Sequence, residues 1–213
     1  MQTGYAPLAG CAWYKRTHAR LLAHGFKIHE VAMRPWKESL LGSLEGRVVE
    51  LGPGGGLNLP YFRPDIEWTG VEPNPYFYPY LEARRRAARC RTAIVQAPAE
   101  ELPFDNASID AVAATLVFCT VRDVLAALRQ VRRVLKPGGR FVFIEHVVEP
   151  ESSFRKRLQR TVKPIWQILG DGCQPDRDTA SAIRQANFST VDIEFFRAPL
   201  PVAGPHIAGW AIR

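Results

Sequence analysis

A short apolar run, Arg47-Val48-Val49-Glu50-Leu51, breaks into the glycine cluster Gly52-Pro53-Gly54-Gly55-Gly56. Such a run reads as a buried parallel strand whose carboxyl end turns into a helix. Four more runs of the same kind lie at 66–72, 92–96, 109–115 and 140–146, with helical patterns near 76–89 and 121–135 between them. The second pattern stops at Lys136-Pro137-Gly138-Gly139, a helix terminator followed by a turn. Strand alternating with helix in this way predicts an α/β fold with a doubly wound, mostly parallel sheet. Upstream, residues 13–32 read as one helix, and a second runs from Pro35, a good first-turn residue, to Leu44. Past Pro150 come a basic amphipathic helix (153–168), a Gly/Asp/Cys loop and a helix near 176–187. Two strands follow, 190–197 and 206–212, joined through Pro199-Leu200-Pro201. That connection has no room for a crossover helix, so the last two strands should close as an antiparallel hairpin. The expected organisation is one domain over 1–213: a helical lid (1–44), a cofactor-binding core (45–150), a lid insertion (151–175) and a final helix with a strand pair (176–213).

The glycine loop carries the chemistry. Gly52 and Gly54 permit backbone angles closed to other residues and let a ligand approach the main chain. Glu72, twenty residues after Gly52 and at the end of the second strand, can accept both hydroxyls of a ribose. Loop and acid together imply an adenosine-containing cofactor. Glu50, just before the glycines, would repel the phosphates of a dinucleotide. Pro53 removes an N–H that a pyrophosphate cradle could use. S-adenosylmethionine has no phosphate and carries two cationic groups, so the balance favours it over a nicotinamide cofactor.

With 28 Lys and Arg against 21 Asp and Glu, the chain carries a formal charge of +7. That permits an anionic partner without requiring one. The run Arg155, Lys156, Arg157, Arg160 and Lys163, interleaved with Phe154, Leu158, Val162, Ile165 and Trp166, suits either a substrate mouth or peripheral contact with an anionic membrane. No stretch approaches the roughly 20 apolar residues of a membrane span, and no signal peptide is evident, so a cytoplasmic protein is expected. Cys11, Cys90, Cys119 and Cys173 show neither a Cys-x-x-Cys pair nor zinc spacing, so buried reduced thiols and no metal are expected.

Five motifs fall in order over residues 46–146: Glu50 to Gly56, Val71-Glu72-Pro73-Asn74, Ala99-Glu100-Glu101-Leu102-Pro103-Phe104-Asp105, Ser108-Ile109-Asp110 and Val134 to Gly139. Together they resemble the class I S-adenosylmethionine-dependent methyltransferases. The resemblance implies a Rossmann-like seven-stranded sheet with an antiparallel final hairpin. A finer likeness lies in Asn58-Leu59-Pro60, Glu72-Pro73-Asn74-Pro75, Leu116 to Val121, Glu145-His146-Val147, Gly170-Asp171-Gly172-Cys173 and Gly204-Pro205-His206-Ile207. These resemble the methyltransferase-like thiol S-methyltransferases and their bacterial relatives. What this implies is methyl transfer to a small thiol or sulfide, leaving S-adenosylhomocysteine. The mammalian members' hydrophobic N-terminal anchor has no counterpart here, and Glu72 stands where their ribose ligand is commonly Asp. By the same resemblance the cofactor site comprises Glu50, Gly52, Gly54, Gly56, Glu72, Asn74, Ala99, Glu100 and Thr115. Ala99 would offer its backbone N–H to the adenine, and Glu100 would accept from the exocyclic amine.

Catalysis is the least legible part. His146 ends the fifth strand, where open α/β sheets bind ligands; Asp171 lies in a glycine-flanked loop; His206 begins the last strand. These three are expected to approach the acceptor, one of them orienting or deprotonating it. Residues 1–40 and 151–174, with Trp13, Tyr14, Phe26, Trp36, Phe154 and Trp166, are expected to cover the methyl group as an apolar lid. Small lipophilic amines, phenols, quinols or phospholipid head groups remain alternative acceptors. Nucleic-acid methylation is disfavoured because Thr115-Leu116-Val117-Phe118 stands where an Asn- or Asp-Pro-Pro-aromatic motif would be needed. A non-catalytic scaffold is disfavoured by the intact glycine loop and ribose acid. Oligomeric state is not legible.

Overall fold

The computed structural model describes residues 11–24, 27–149, 154–200 and 202–213. Its sheet has seven strands: β1 (Arg47–Leu51), β2 (Glu67–Val71), β3 (Arg91–Val95), β4 (Ile109–Thr115), β5 (Leu135–His146), β6 (Thr190–Arg197) and β7 (Pro205–Ile212). They lie in the order β3-β2-β1-β4-β5-β7-β6. The first five are parallel, and β7 enters antiparallel between β5 and β6, so the predicted closing hairpin forms. Strand order reverses between β1 and β4, the switch point where a crevice opens beyond the carboxyl ends of the strands.

Alternation along the strands divides the core into two layers. Val49, Leu51, Val112, Ala114, Phe141 and Phe143 face one side, with α4 (Val124–Val134) and α6 (Thr179–Gln185) packed on them. Val48, Trp68, Ala111, Ala113, Val142 and Ile144 face the other, covered by α2 (Lys27–Leu41) and α3 (Tyr78–Arg85). Helix α4 presents Ala127, Leu128, Val131 and Val134 as one buried stripe. It starts where Asp123 caps the Ala126 N–H at 2.9 Å.

Three boundaries differ from the sequence reading. The single helix expected over 13–32 is two, α1 (Ala12–Ala23) and α2. Pro35 sits inside α2 rather than at its start. The carbonyl that it leaves without a donor belongs to Val31, which faces solvent and can bond water there. Lys136 to Gly139, expected as a turn ahead of a strand at 140–146, lie inside β5 and bulge from it: Ile109 pairs with Leu135 and Ala111 with Arg140, and Gly138 takes φ +76°.

Helix α1 and the turn that follows α5 (Phe154–Leu169) border the crevice. Ala19 and Ala23 of α1 pack on Phe77. Tyr14 donates to the Ile168 carbonyl and accepts from the Asp171 N–H at 3.2 Å, fastening α1 to the turn after α5. Among the described residues no helix is long and apolar enough to cross a membrane.

Candidate active site

A cleft of about 920 Å³ opens above the switch point. Its first wall comes from the turns after β1 and β2. Gly52 and Gly54 take φ +53° and +54°, the left-handed region that glycine enters without strain. A side chain at Gly52 would also meet Val117 Cγ2 at 2.9 Å. Glu72 is buried, and its carboxylate spans the two turns: Oε2 accepts from the Gly54 N–H at 2.9 Å and Oε1 from the Asn74 N–H at 2.8 Å. Burial outweighs these bonds and raises its pKa to about 7. Pro98, Ala99 and Glu100 continue the wall, and Glu100 Oε1 accepts from the backbone of Arg122 at 2.8 Å and of Asp123 at 3.2 Å.

Two of the expected cofactor residues stand back from this wall. Glu50 lies under the loop, its oxygens taken by Asn58 Nδ2 at 2.7 Å and Trp68 Nε1 at 2.9 Å, with burial raising its pKa to about 7. It reaches the cleft only through Asn58, because the pleat turns the Glu50 side chain into the α2 layer. Gly56, at φ +80°, is a packing position where a Cβ would strike Leu81 at 2.9 Å.

The second wall comes from α1, α2 and the turn after α5. His18, Leu22, His29, Met33, Gly170 and Asp171 line it, so Asp171 faces the cleft while His146 and His206 stand behind it. His206 connects to it through His29, the two Nε2 atoms 3.0 Å apart. Burial lowers both histidines to about 4, so they are neutral and one donates to the other. His18 is also lowered by burial, opposed by the charge of Asp171. Asp171 and Leu116 adopt φ +48° and +58°, strained angles at two cleft-lining positions. None of the expected lid aromatics among the described residues lines the cleft. Trp13 and Phe154 are exposed, Trp36 stacks on Phe196, Tyr14 and Trp166 bond the turn after α5, and Phe26 lies outside the described residues. Tyr76 and Phe77 are the aromatics that face it. His18 and His29 were missed in the sequence, where they sit among the apolar punctuation of the first helical pattern.

Behind the lid, His146 Nε2 lies 3.1 Å from Cys173 Sγ, to which Trp166 Nε1 donates at 3.3 Å. The Cys119 thiol, with the His146 and Trp166 N–H groups, holds Cys173 down to about 4 against the opposing effect of burial. His146 is raised: burial works against its charged form, and the Cys173 thiolate outweighs it. Cys119 is raised by its bond to Cys173 and by burial.

Asn58 Oδ1, Asn74 Nδ2, Thr115 Oγ1, His18 Nδ1 and Asp171 Oδ1 are buried without a hydrogen-bond partner, and all five residues line the cleft. Buried polar atoms of this kind demand a partner. Donors and acceptors ringed around a two-glycine turn fit a ligand with ribose hydroxyls and an amino-acid zwitterion, which is the make-up of S-adenosylmethionine.

Residues 49–143 match a family described as a methyltransferase domain. Thiol S-methyltransferase TMT1B of Rattus norvegicus is 40% identical over 177 residues, covering 80% of this chain and 72% of that protein. Thiol S-methyltransferase TMT1A of Homo sapiens is 34% identical over 171 residues, covering 78% and 70%. Among solved structures, a SAM-dependent methyltransferase of Thermotoga maritima superposes with a TM-score of 0.70 at 20% identity, over 95% of this chain and 99% of that one. That last likeness is one of fold.

Proposed function

The chain belongs to the S-adenosylmethionine-dependent methyltransferase family that includes the thiol S-methyltransferases, and we propose that its own acceptor is a small thiol or sulfide. One observation carries this reading. Identity to enzymes named for thiol methylation extends over 80% of the chain, well beyond the domain match at 49–143.

In this reading Glu72 accepts the ribose hydroxyls, Ala99 and Glu100 hold the adenine, and Asn58, Asn74 and Thr115 supply their orphaned atoms to the polar parts of the cofactor. Bound S-adenosylmethionine supplies an electrophilic methyl group on a sulfonium. The lid wall holds the acceptor in line, which is where most of the rate of such a displacement arises. A thiol needs little further help, since a few per cent is thiolate at neutral pH. His18, kept neutral by burial, takes up the thiol proton, and Asp171 stabilises the resulting imidazolium. His206 and His146 act as positioning residues through His29 and Cys173. Leu22 and Met33 give that wall an apolar strip among His18, His29, Glu30 and Lys37, which can seat a small alkyl thiol.

The test is a methyl-transfer screen with product mass detection against sulfide, short alkyl thiols, phenols, amines and quinols. S-methyl products from thiols are expected. Methylation of an amine, phenol or quinol with thiols left untouched would overturn the acceptor while leaving the cofactor in place.

A peripheral membrane contact belongs to the same reading. Phe154, Ile165 and Leu169 are exposed on α5 beside Arg155, Arg157 and Arg160. Co-sedimentation with anionic but not neutral vesicles is the expected result.

A further inference from the structure

Cys119, His146 and Cys173 are spaced 27 residues apart, so no local motif announces them. The fold nevertheless brings Cys119 Sγ, one ring nitrogen of His146 and Cys173 Sγ within 4.8 Å of one another. Each comes from a different, firmly held element. Cys119 sits in the turn after β4, where the neighbouring Val117 and Phe118 N–H groups bond the Glu145 carboxylate at 2.8 and 3.2 Å. His146 ends β5. Cys173 lies in the turn after α5, and the Gln174 N–H bonds the Cys119 carbonyl at 2.9 Å, locking the two cysteine turns together.

We propose that Cys119, Cys173 and His146 form a binding site for one thiophilic cation of the zinc class, separate from the methyl-transfer cleft. Zinc takes thiolate sulfur at about 2.3 Å and imidazole nitrogen at about 2.0–2.1 Å, which in a tetrahedron sets ligand atoms about 3.5–3.8 Å apart. The 3.1 Å His146–Cys173 separation and the 4.8 Å outer limit bracket that spacing, so small side-chain rotations complete the site. Two sulfurs and one imidazole are a donor set for zinc, whereas magnesium and calcium take oxygen. The surrounding charge also suits it. Two thiolates and the buried Glu145 offset both a divalent ion and the nearby Arg177, whose guanidinium is held by the carbonyls of Phe118 and Val121. Three protein ligands leave a fourth position open. Metal here would tie the turn that carries Asp171 to the ends of β4 and β5, and it would displace thiol protons on binding.

Cobalt(II) is the direct probe, since thiolate ligation gives it charge-transfer absorption. The full chain, reduced and stripped of metal, is titrated with cobalt chloride and then with zinc. One equivalent of cobalt should bind with thiolate charge-transfer and tetrahedral bands, and one equivalent of zinc should bleach them. Cys119→Ala and Cys173→Ala should lose these bands while retaining S-adenosylmethionine binding by calorimetry, and Cys11→Ser and Cys90→Ser should keep them. Should an alanine variant fail to fold, Cys173→Ser carries the test, with charge-transfer intensity reduced by one thiolate's share. Three results overturn the proposal: no charge-transfer band in the reduced wild type, bands that survive both cysteine substitutions, or a protein that ignores cobalt yet loses two thiols to an added disulfide. None of them bears on the acceptor screen.

Discussion

The wall of the cleft that holds Glu72 ties together residues 18 apart in sequence, Gly54 and Glu72, through a single hydrogen bond between neighbouring strand ends. The opposite wall is fastened by a contact between Tyr14 and Asp171, 157 residues apart. The first is the product of adjacent parallel strands and needs little more than β1 and β2 in register. The second exists only once an N-terminal helix has docked on a turn near the other end of the chain. Long-range closure of that kind leaves the lid wall dependent on tertiary packing, while the cofactor wall is set by local backbone geometry. Under the proposed function the same division sets cofactor binding apart from acceptor binding.

The largest effect should come from the cofactor wall. Under the proposed function Glu72→Ala removes the acceptor of the two ribose hydroxyls, and hydrogen bonds to a charged group are worth about 1.5–3 kcal/mol each. S-adenosylmethionine should then bind about a hundred-fold more weakly or worse in titration calorimetry. Affinity within a few-fold of wild type would place the ribose elsewhere.

Within that wall the two glycines should part company. Alanine at either position meets the left-handed penalty of about 1 kcal/mol. Gly52→Ala must also push Val117 aside, where the new Cβ would lie 2.9 Å from Cγ2, adding about 1–3 kcal/mol. At Gly54 the nearest atom is Phe77 Cε1 at 3.7 Å. Urea denaturation should therefore find Gly52→Ala the less stable variant, and the reverse order would contradict the packing at the loop.

This contrast explains what the sequence could and could not reveal. Strand periodicity, the glycine cluster and Glu72 lie within one βαβ unit, where spacing along the chain is almost spacing in space. The strand–helix alternation and the closing hairpin follow from the same local signals, whereas the order of the seven strands in the sheet is a product of tertiary pairing. Glu50 was placed beside the cofactor because strand position was legible, but the pleat that aims it at Asn58 and Trp68 was not. His18 and His29 looked like ordinary members of an amphipathic pattern, and only docking of α1 and α2 puts them over the cleft. The aromatics expected in the lid packed or faced outward because helix rotation, rather than composition, decides which face turns inward. Cys119, His146 and Cys173 were read as unrelated residues since α4, β5 and α5 lie between the first of their turns and the last.

Titration should distinguish the walls by sign. Glu50 and Glu72 are raised from 4.5 to about 7 by burial, so the folded chain holds their protons more tightly than the unfolded one. Their contribution to stability is fully present below about 4.5 and is lost as pH rises through 7. His29, lowered from 6.5 to about 4, does the opposite: its contribution is present above 6.5 and is lost as pH falls through 4. Relative to wild type, Glu50→Gln should therefore gain stability between pH 5 and 8, and His29→Gln should gain it toward pH 4. Denaturant midpoints across that range measure both, and parallel profiles for all three proteins would remove the distinction.

The smallest effect belongs to the outer face. Trp13 is 63% exposed and lines no part of the cleft. Trp13→Ala should change cofactor affinity negligibly and stability by about 0.5 kcal/mol or less. A substantial loss of either would return the aromatic side chains to the lid.

The division of the cleft is tested most directly by Asp171→Ala, measured for S-adenosylmethionine affinity by calorimetry and for kcat/KM with a short alkyl thiol on the same preparation. Asp171 faces the cleft from the turn that Tyr14 holds, on the wall opposite the glycine loop. The account predicts cofactor affinity within about two-fold of wild type and kcat/KM lowered about ten-fold or more, a loss of roughly 1.4 kcal/mol in transition-state stabilisation. Cofactor binding weakened as severely as in Glu72→Ala, or turnover left intact, would show that the two walls do not divide the reaction.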